Sequence, residues 1–136
     1  MKTTNYYNTF IEVADDCPAQ IGKVPEQKGK DKTVAQIEYE LISTNPYQFT
    51  SDDVLFAVFS EKNNISQNDE LIEREKFFSK SQACLRASPL GKRYGWGIHF
   101  NEEGKLALYA VNSNEYKKLQ TDNSIDHVKA MRSKRA

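Results

Sequence analysis

A chain of 136 residues in which nineteen basic side chains balance nineteen acidic ones has no overall field to gather nucleic acid or an anionic membrane. Apolar residues make up 38%, enough to bury one core without a disulfide or metal staple, and a single domain spanning 1–136 is expected. The longest apolar runs, 54–59 and 106–111, are too short to cross a bilayer, and MKTTNYYN lacks the apolar stretch of an export signal, so a cytoplasmic protein with reduced thiols is expected.

Residues 6–13, YYNTFIEV, read as a strand with Tyr7, Thr9, Ile11 and Val13 on one face. Residues 14–32 form a long connection carrying Pro18, Gly22, Pro25 and Gly29, and connections of that length are often functional or mobile. Thr33 opens a helix with Gln36 at capping-box spacing and Val34, Ile37 and Leu41 as its apolar stripe; Asn45-Pro46 ends it. A second helix starts near Thr50-Ser51-Asp52-Asp53, buries Val54, Leu55, Val58 and Phe59, and stops at Asn63-Asn64. A third spans about 66–78, with Leu71, Ile72 and Phe78 inward.

Residues 94–101 and 105–111 form a hairpin. Glu102-Glu103-Gly104 suits a three-residue loop, with Gly104 supplying the left-handed position. That loop pairs Phe100 with Leu106, Ile98 with Leu108 and Trp96 with Ala110, all on one face. The other face carries Gly95, Gly97, His99 and Asn101 beside Lys105, Ala107, Tyr109 and Val111. Bare glycines weaken a strand unless Tyr109 lies across Gly97 or a ligand or loop approaches closely. A short helix over 112–120, capped by Ser113, and a final strand within 124–132 complete the chain, although Ala130 and Met131 also suit a helix. This order predicts an α+β fold: an antiparallel sheet of about four strands with helices packed on one face.

Candidate chemistry concentrates in 77–111. Cys84 is a nucleophile if His99 serves as its base and Arg86, Lys92 or Arg93 stabilises the thiolate; otherwise it is a small buried hydrophobe. Asp16, in Asp15-Asp16-Cys17-Pro18 after the first strand, is either a working carboxylate or part of an Asx turn. Asp52 and Asp53 are explained by a helix N-terminus. Arg86, Lys92 and Arg93 make one basic run, and Lys129, Arg132, Lys134 and Arg135 another. Together they would bind an anion, or else pair with Asp15, Asp16 or helix carboxylates.

No cysteine pair joins His99 and His127, so no structural zinc site is expected; a carboxylate-rich magnesium or calcium site stays open, but no calcium-loop spacing is present and no particular cofactor is implied. The second and third helices have loosely helix-turn-helix spacing, but Asp69, Glu70, Glu73 and Glu75 would repel phosphates, so a nucleic-acid partner is not expected.

The segments TNYYNTFIEVADDCP, PYQFTSDDVLF, REKFFSK and CLRASPLGKRYGWGIH, with KAMRSKR at the end, resemble a family of small bacterial proteins of unassigned function. The resemblance covers nearly the whole chain and implies a bacterial, cytosolic, single-domain protein. It brings no activity, cofactor or catalytic residue.

The residues therefore favour a non-enzymatic binding module for an anionic small molecule or acidic partner segment. Arg86, Lys92 and Arg93 would supply charge, and His99 and Tyr109 a donor and a flat wall. The alternatives are a small enzyme using Cys84 or Asp16 with His99, and an adaptor or homodimer formed through a sheet edge.

Overall fold

The structure, a computed structural model, describes residues 2–27 and 29–133. Strand β1 (Thr9–Glu12) is followed by helices α1 (Val34–Thr44), α2 (Ser51–Lys62) and α3 (Glu70–Phe78), then a one-turn helix α4 (Pro89–Lys92). The hairpin β2 (Trp96–Phe100) and β3 (Leu106–Ala110), helix α5 (Asn114–Gln120) and strand β4 (Asp126–Lys129) complete it.

The four strands form one sheet in the order β3-β2-β1-β4. The hairpin has the expected register, with Trp96 opposite Ala110, Ile98 opposite Leu108 and Phe100 opposite Leu106, and Gly104 at φ 79°. β1 runs antiparallel to β2 but parallel to β4, so the sheet is mixed. The parallel pair arises because α5 carries the chain from the β3 edge back to the opposite edge.

The first face of the sheet carries Ile11, Ile98, Phe100 and Leu106, each 0–1% exposed. They join Ala35 and Ile42 of α1, Val54 of α2 and Leu90 of α4 in the main core. The second face is covered as well, which departs from the expected one-sided packing. Phe10 points there, is fully buried, and meets Tyr116 of α5 edge-on at 5.0 Å between ring centres. The Tyr116 hydroxyl accepts a hydrogen bond from the Val13 N–H at 3.0 Å.

This packing explains one of the hairpin glycines. A Cβ on Gly97 would lie 2.6 Å from Phe10 Cζ and 2.7 Å from Tyr116 Cε2, so these two rings, and not Tyr109, occupy the space above it. Gly97→Ala is expected to destabilise the protein by about 1–3 kcal/mol through overpacking. Denaturant unfolding checks this, and an unchanged midpoint would mean that the rings are free to retreat.

Gly95 serves a different contact. Its φ is +80°, and a Cβ there would stand 2.4 Å from the Ile21 carbonyl oxygen, so the long 14–32 connection lies directly against it. The Lys23 N–H donates to the Tyr94 carbonyl, and the Trp96 indole N–H donates to the Lys23 carbonyl, both at 2.8 Å. The strand accordingly begins at Trp96, later than the sequence pattern indicates.

The helices differ from expectation in phase. In α3, Phe78 is buried as expected, but Leu71 is 84% and Ile72 59% exposed. The inward side instead uses Phe77, whose ring centre lies 4.7 Å from that of Phe59 and 6.0 Å from that of Phe56, while the part-exposed Arg74 places its guanidinium 5.7 Å from the Phe56 ring centre and 5.5 Å from that of Phe78. In α2, Val54 and Val58 are buried as expected together with Phe56, while Leu55 and Phe59 are half-buried. In α1, Ile37 is buried but Val34 is exposed, and Ala35, Glu38 and Ile42 complete the buried side.

The N-termini of α1 and α2 are capped. The Thr33 hydroxyl accepts from the Gln36 N–H, and Thr50 and Asp53 form a full capping box. Asp52 does something else. Its buried carboxylate accepts from the Thr3 hydroxyl at 2.7 Å, the Thr4 N–H at 2.8 Å and the Thr4 hydroxyl at 2.7 Å, docking the first residues onto α2.

Candidate functional site

Three helices leave a trough between them. Residues Ile37, Leu41, Phe49, Phe56, Ala57 and Ile65 give it apolar walls, and its volume is about 920 Å³. Four carboxylates line it, Glu40 on α1, Asp53 and Glu61 on α2 and Glu70 on α3, against the single guanidinium of Arg74. Arg74 is already committed to Asp53 at 2.9 Å and to the two phenylalanine rings. Lys32 reaches Glu40 at 2.6 Å, and Lys30 and Lys62 join it in an adjoining hollow that shares Glu61, so the carboxylate excess belongs to the lining of the trough itself. Glu61 and Glu70 stand exposed.

The residues singled out in the sequence fall in separate places. His99 and Tyr109 do come together on the second face of the sheet. Tyr47, from the α1–α2 connection, joins them through its hydroxyl, 2.8 Å from His99 Nδ1 and 2.7 Å from the Tyr109 hydroxyl. Burial holds the His99 imidazole below its usual pKa, partly offset by the Asp122 carboxylate. Burial, reinforced by the Tyr109 hydroxyl, raises that of the Tyr47 phenol. Tyr47 has φ 59°, an uncommon backbone for a bulky residue. Its N–H donates to the Leu106 carbonyl, and the Leu106 N–H donates to the Phe49 carbonyl, so this connection covers the first residue of the β3 edge.

Cys84 lies on the other side of the sheet from His99. Its sulfur is 3.2 Å from the Tyr6 hydroxyl, and the Tyr6 ring rests 5.3 Å from Phe100, on the first face. Burial, with the Cys84 contact, pushes the Tyr6 phenol up to about 12.

Arg86 is at the β4 edge, where its Nε donates to the Lys129 carbonyl at 2.7 Å. Three strand spacings, roughly 14 Å, separate that edge from Tyr109 on β3. Lys92 and Arg93 sit at the end of α4, which packs on the first face through Leu90. The three cations and the His99–Tyr109 pair are thus not assembled into one anion platform.

Asp15 and Asp16 reach the C-terminal segment. Asp15 pairs with Lys129 and Arg132, which hold its carboxyl below the usual range, and Asp16 accepts from the Ser133 N–H at 3.0 Å. Lys134 and Arg135 of the second basic run lie outside the described residues.

β4 is four residues long and carries Asp126, His127 and Lys129, features that discourage strand addition at that edge. Among the described residues no three His, Cys, Asp or Glu side chains gather as a metal site would need, and no helix is long and apolar enough to cross a membrane.

Neither the groove nor the part played by Tyr47 was anticipated from the sequence. The available signals were weak: an Asn45-Pro46-Tyr47 turn, and acids spaced along three helices distant in sequence.

A mixed four-stranded sheet, helices on both faces and an acid-lined groove define a small α+β protein. The chain belongs to the family of unknown function DUF6157, whose model matches residues 1–136. No curated protein and no solved structure shows significant similarity to it.

Proposed function

We propose that the protein is a binding module whose ligand seats in the groove between α1, α2 and α3, presenting an apolar body and positive charge. The observation that carries this reading is the pairing of apolar walls with a carboxylate majority in a hollow of about 920 Å³, a size typical of ligand sites. Opposite charge at such a rim steers and orients a ligand while apolar contact supplies affinity. The ligand's sign is therefore the reverse of the one expected from the basic run. The candidate nucleophiles support binding over catalysis, since Cys84 contacts Tyr6 while His99 is hydrogen-bonded to Tyr47 on the opposite face.

Octylammonium and octanoate share an apolar tail and differ in charge, so they test the reading directly. Octylammonium at about ten times its Kd should stabilise the intact chain by ~1.4 kcal/mol, a rise of a few degrees in Tm. Octanoate should give no rise. Ala57→Trp, which fills the groove from α2, should abolish the effect. Equal shifts from both compounds, or a shift that survives Ala57→Trp, would overturn the proposal.

A further inference from the structure

We infer that the groove takes an amphipathic helix of a partner protein, one with lysine or arginine on either side of an apolar stripe. This rests on the reading above that the groove is the binding site.

The shape of the site argues for a polypeptide. A small ligand held by proteins usually has most of its surface buried in an enclosed pocket. This hollow is an open trough between helices, and a small ligand in it leaves one side of the trough uncovered. A helix brings its own continuous apolar face, about 10 Å across, and lays it between the flanking helices, the groove mode of peptide recognition.

Charge fixes the kind of helix. Glu40 and Glu61 border the trough from α1 and α2, and Glu70 from α3, so carboxylates stand on both of its banks. An apolar stripe flanked by cations is the complement of that arrangement. An acidic helix would find no counterpart in Arg74, which already pairs with Asp53 and stacks on Phe56 and Phe78.

The test uses two labelled peptides of about 14 residues, roughly four helical turns. Both carry leucines at helical spacing; one has lysines flanking the stripe and the other glutamates. Fluorescence anisotropy with the intact chain should show the lysine peptide binding at least about tenfold tighter, and more weakly as salt rises. Glu61→Lys with Glu70→Lys, both at exposed positions, should reverse the preference. Ala57→Trp should remove binding.

Octylammonium stabilisation without binding of the lysine peptide would overturn the helix partner and leave the groove reading intact. Failure of both probes would overturn both. Equal binding of the two peptides, or binding indifferent to Ala57→Trp, would also overturn the inference, and a complex of two copies of this chain in place of peptide binding would assign the groove to self-association.

Discussion

Asp52→Ala should destabilise the protein by roughly 3–5 kcal/mol, the range expected when a buried charged acceptor is removed and its donors stay behind. Asp52 is 2% exposed and accepts from the Thr3 hydroxyl, the Thr4 N–H and the Thr4 hydroxyl. Thr4 is itself buried, and its hydroxyl also meets the Ser51 hydroxyl at 2.8 Å. Truncation strands these donors away from water. It also deletes a negative charge from the first turn of α2, where the exposed amide dipoles favour one.

Asp52→Asn should lose about half as much. Its remaining oxygen can still accept from Thr4, and the Thr3 hydroxyl can turn to accept from the new amide. Urea unfolding of the intact chain gives the stabilities, and amide exchange at Thr4 reports whether the N-terminal segment has detached. Equal losses for the two substitutions would show that the hydrogen bonds to Thr4 contribute little.

The role of Asp52 marks where local reading stops. A helix N-terminus accounts for an acid at that position, and for Asp53 it is sufficient, since the capping box with Thr50 forms. Nothing near Asp52 in sequence reveals that Thr3 and Thr4 arrive beside it. The hairpin was legible because its information is local: two-residue alternation and one glycine at the turn fix both register and facing.

α3 misleads for a reason intrinsic to the pattern. Leu71 and Ile72 have the composition of a buried side, yet Phe77 and Phe78 pack inward, and the part-exposed Arg74 beside them pairs with Asp53 and lies over two aromatic rings. The candidate site was illegible for the same reason as Asp52. Arg86, Arg93 and His99 are close in the chain, but a sheet and the turn of α4 place them on different sides. The groove walls come from residues spread over 37–74. The second-face cover over Gly97 depends on Phe10 and Tyr116, which are distant in sequence and assigned by alternation to no common surface.

Glu38 leads to the second large effect, a fall in stability as pH rises from about 4.5 to about 7. It sits mid-helix on the buried side of α1, 2% exposed, and its carboxyl accepts from the Ser88 hydroxyl at 2.7 Å. Ser88 also caps α4, accepting from the Leu90 N–H at 3.1 Å, so the acid is wedged where two helices meet. Burial pushes its pKa up to about 7 from the ordinary 4.5, against the opposing hydrogen bond from Ser88. Below about pH 4.5 both folded and unfolded chains hold the proton, and Glu38 imposes no charge penalty. Between 4.5 and 7 the unfolded chain ionises while the folded one keeps its proton, so the unfolded state gains and stability falls. Above 7 the folded state ionises too, and the accumulated loss stays. At ~1.36 kcal/mol per pH unit, the gap between 4.5 and about 7 amounts to roughly 3 kcal/mol. Glu38→Gln keeps the acceptor for Ser88 and removes the titration. It should match the parent within about 0.5 kcal/mol at pH 4.5 and exceed it by about 2–3 kcal/mol at pH 8. Denaturant midpoints measured across that range decide the matter, because parallel curves for parent and variant would mean that the Glu38 carboxylate is solvated in the native state and the α1–α4 contact does not exclude water.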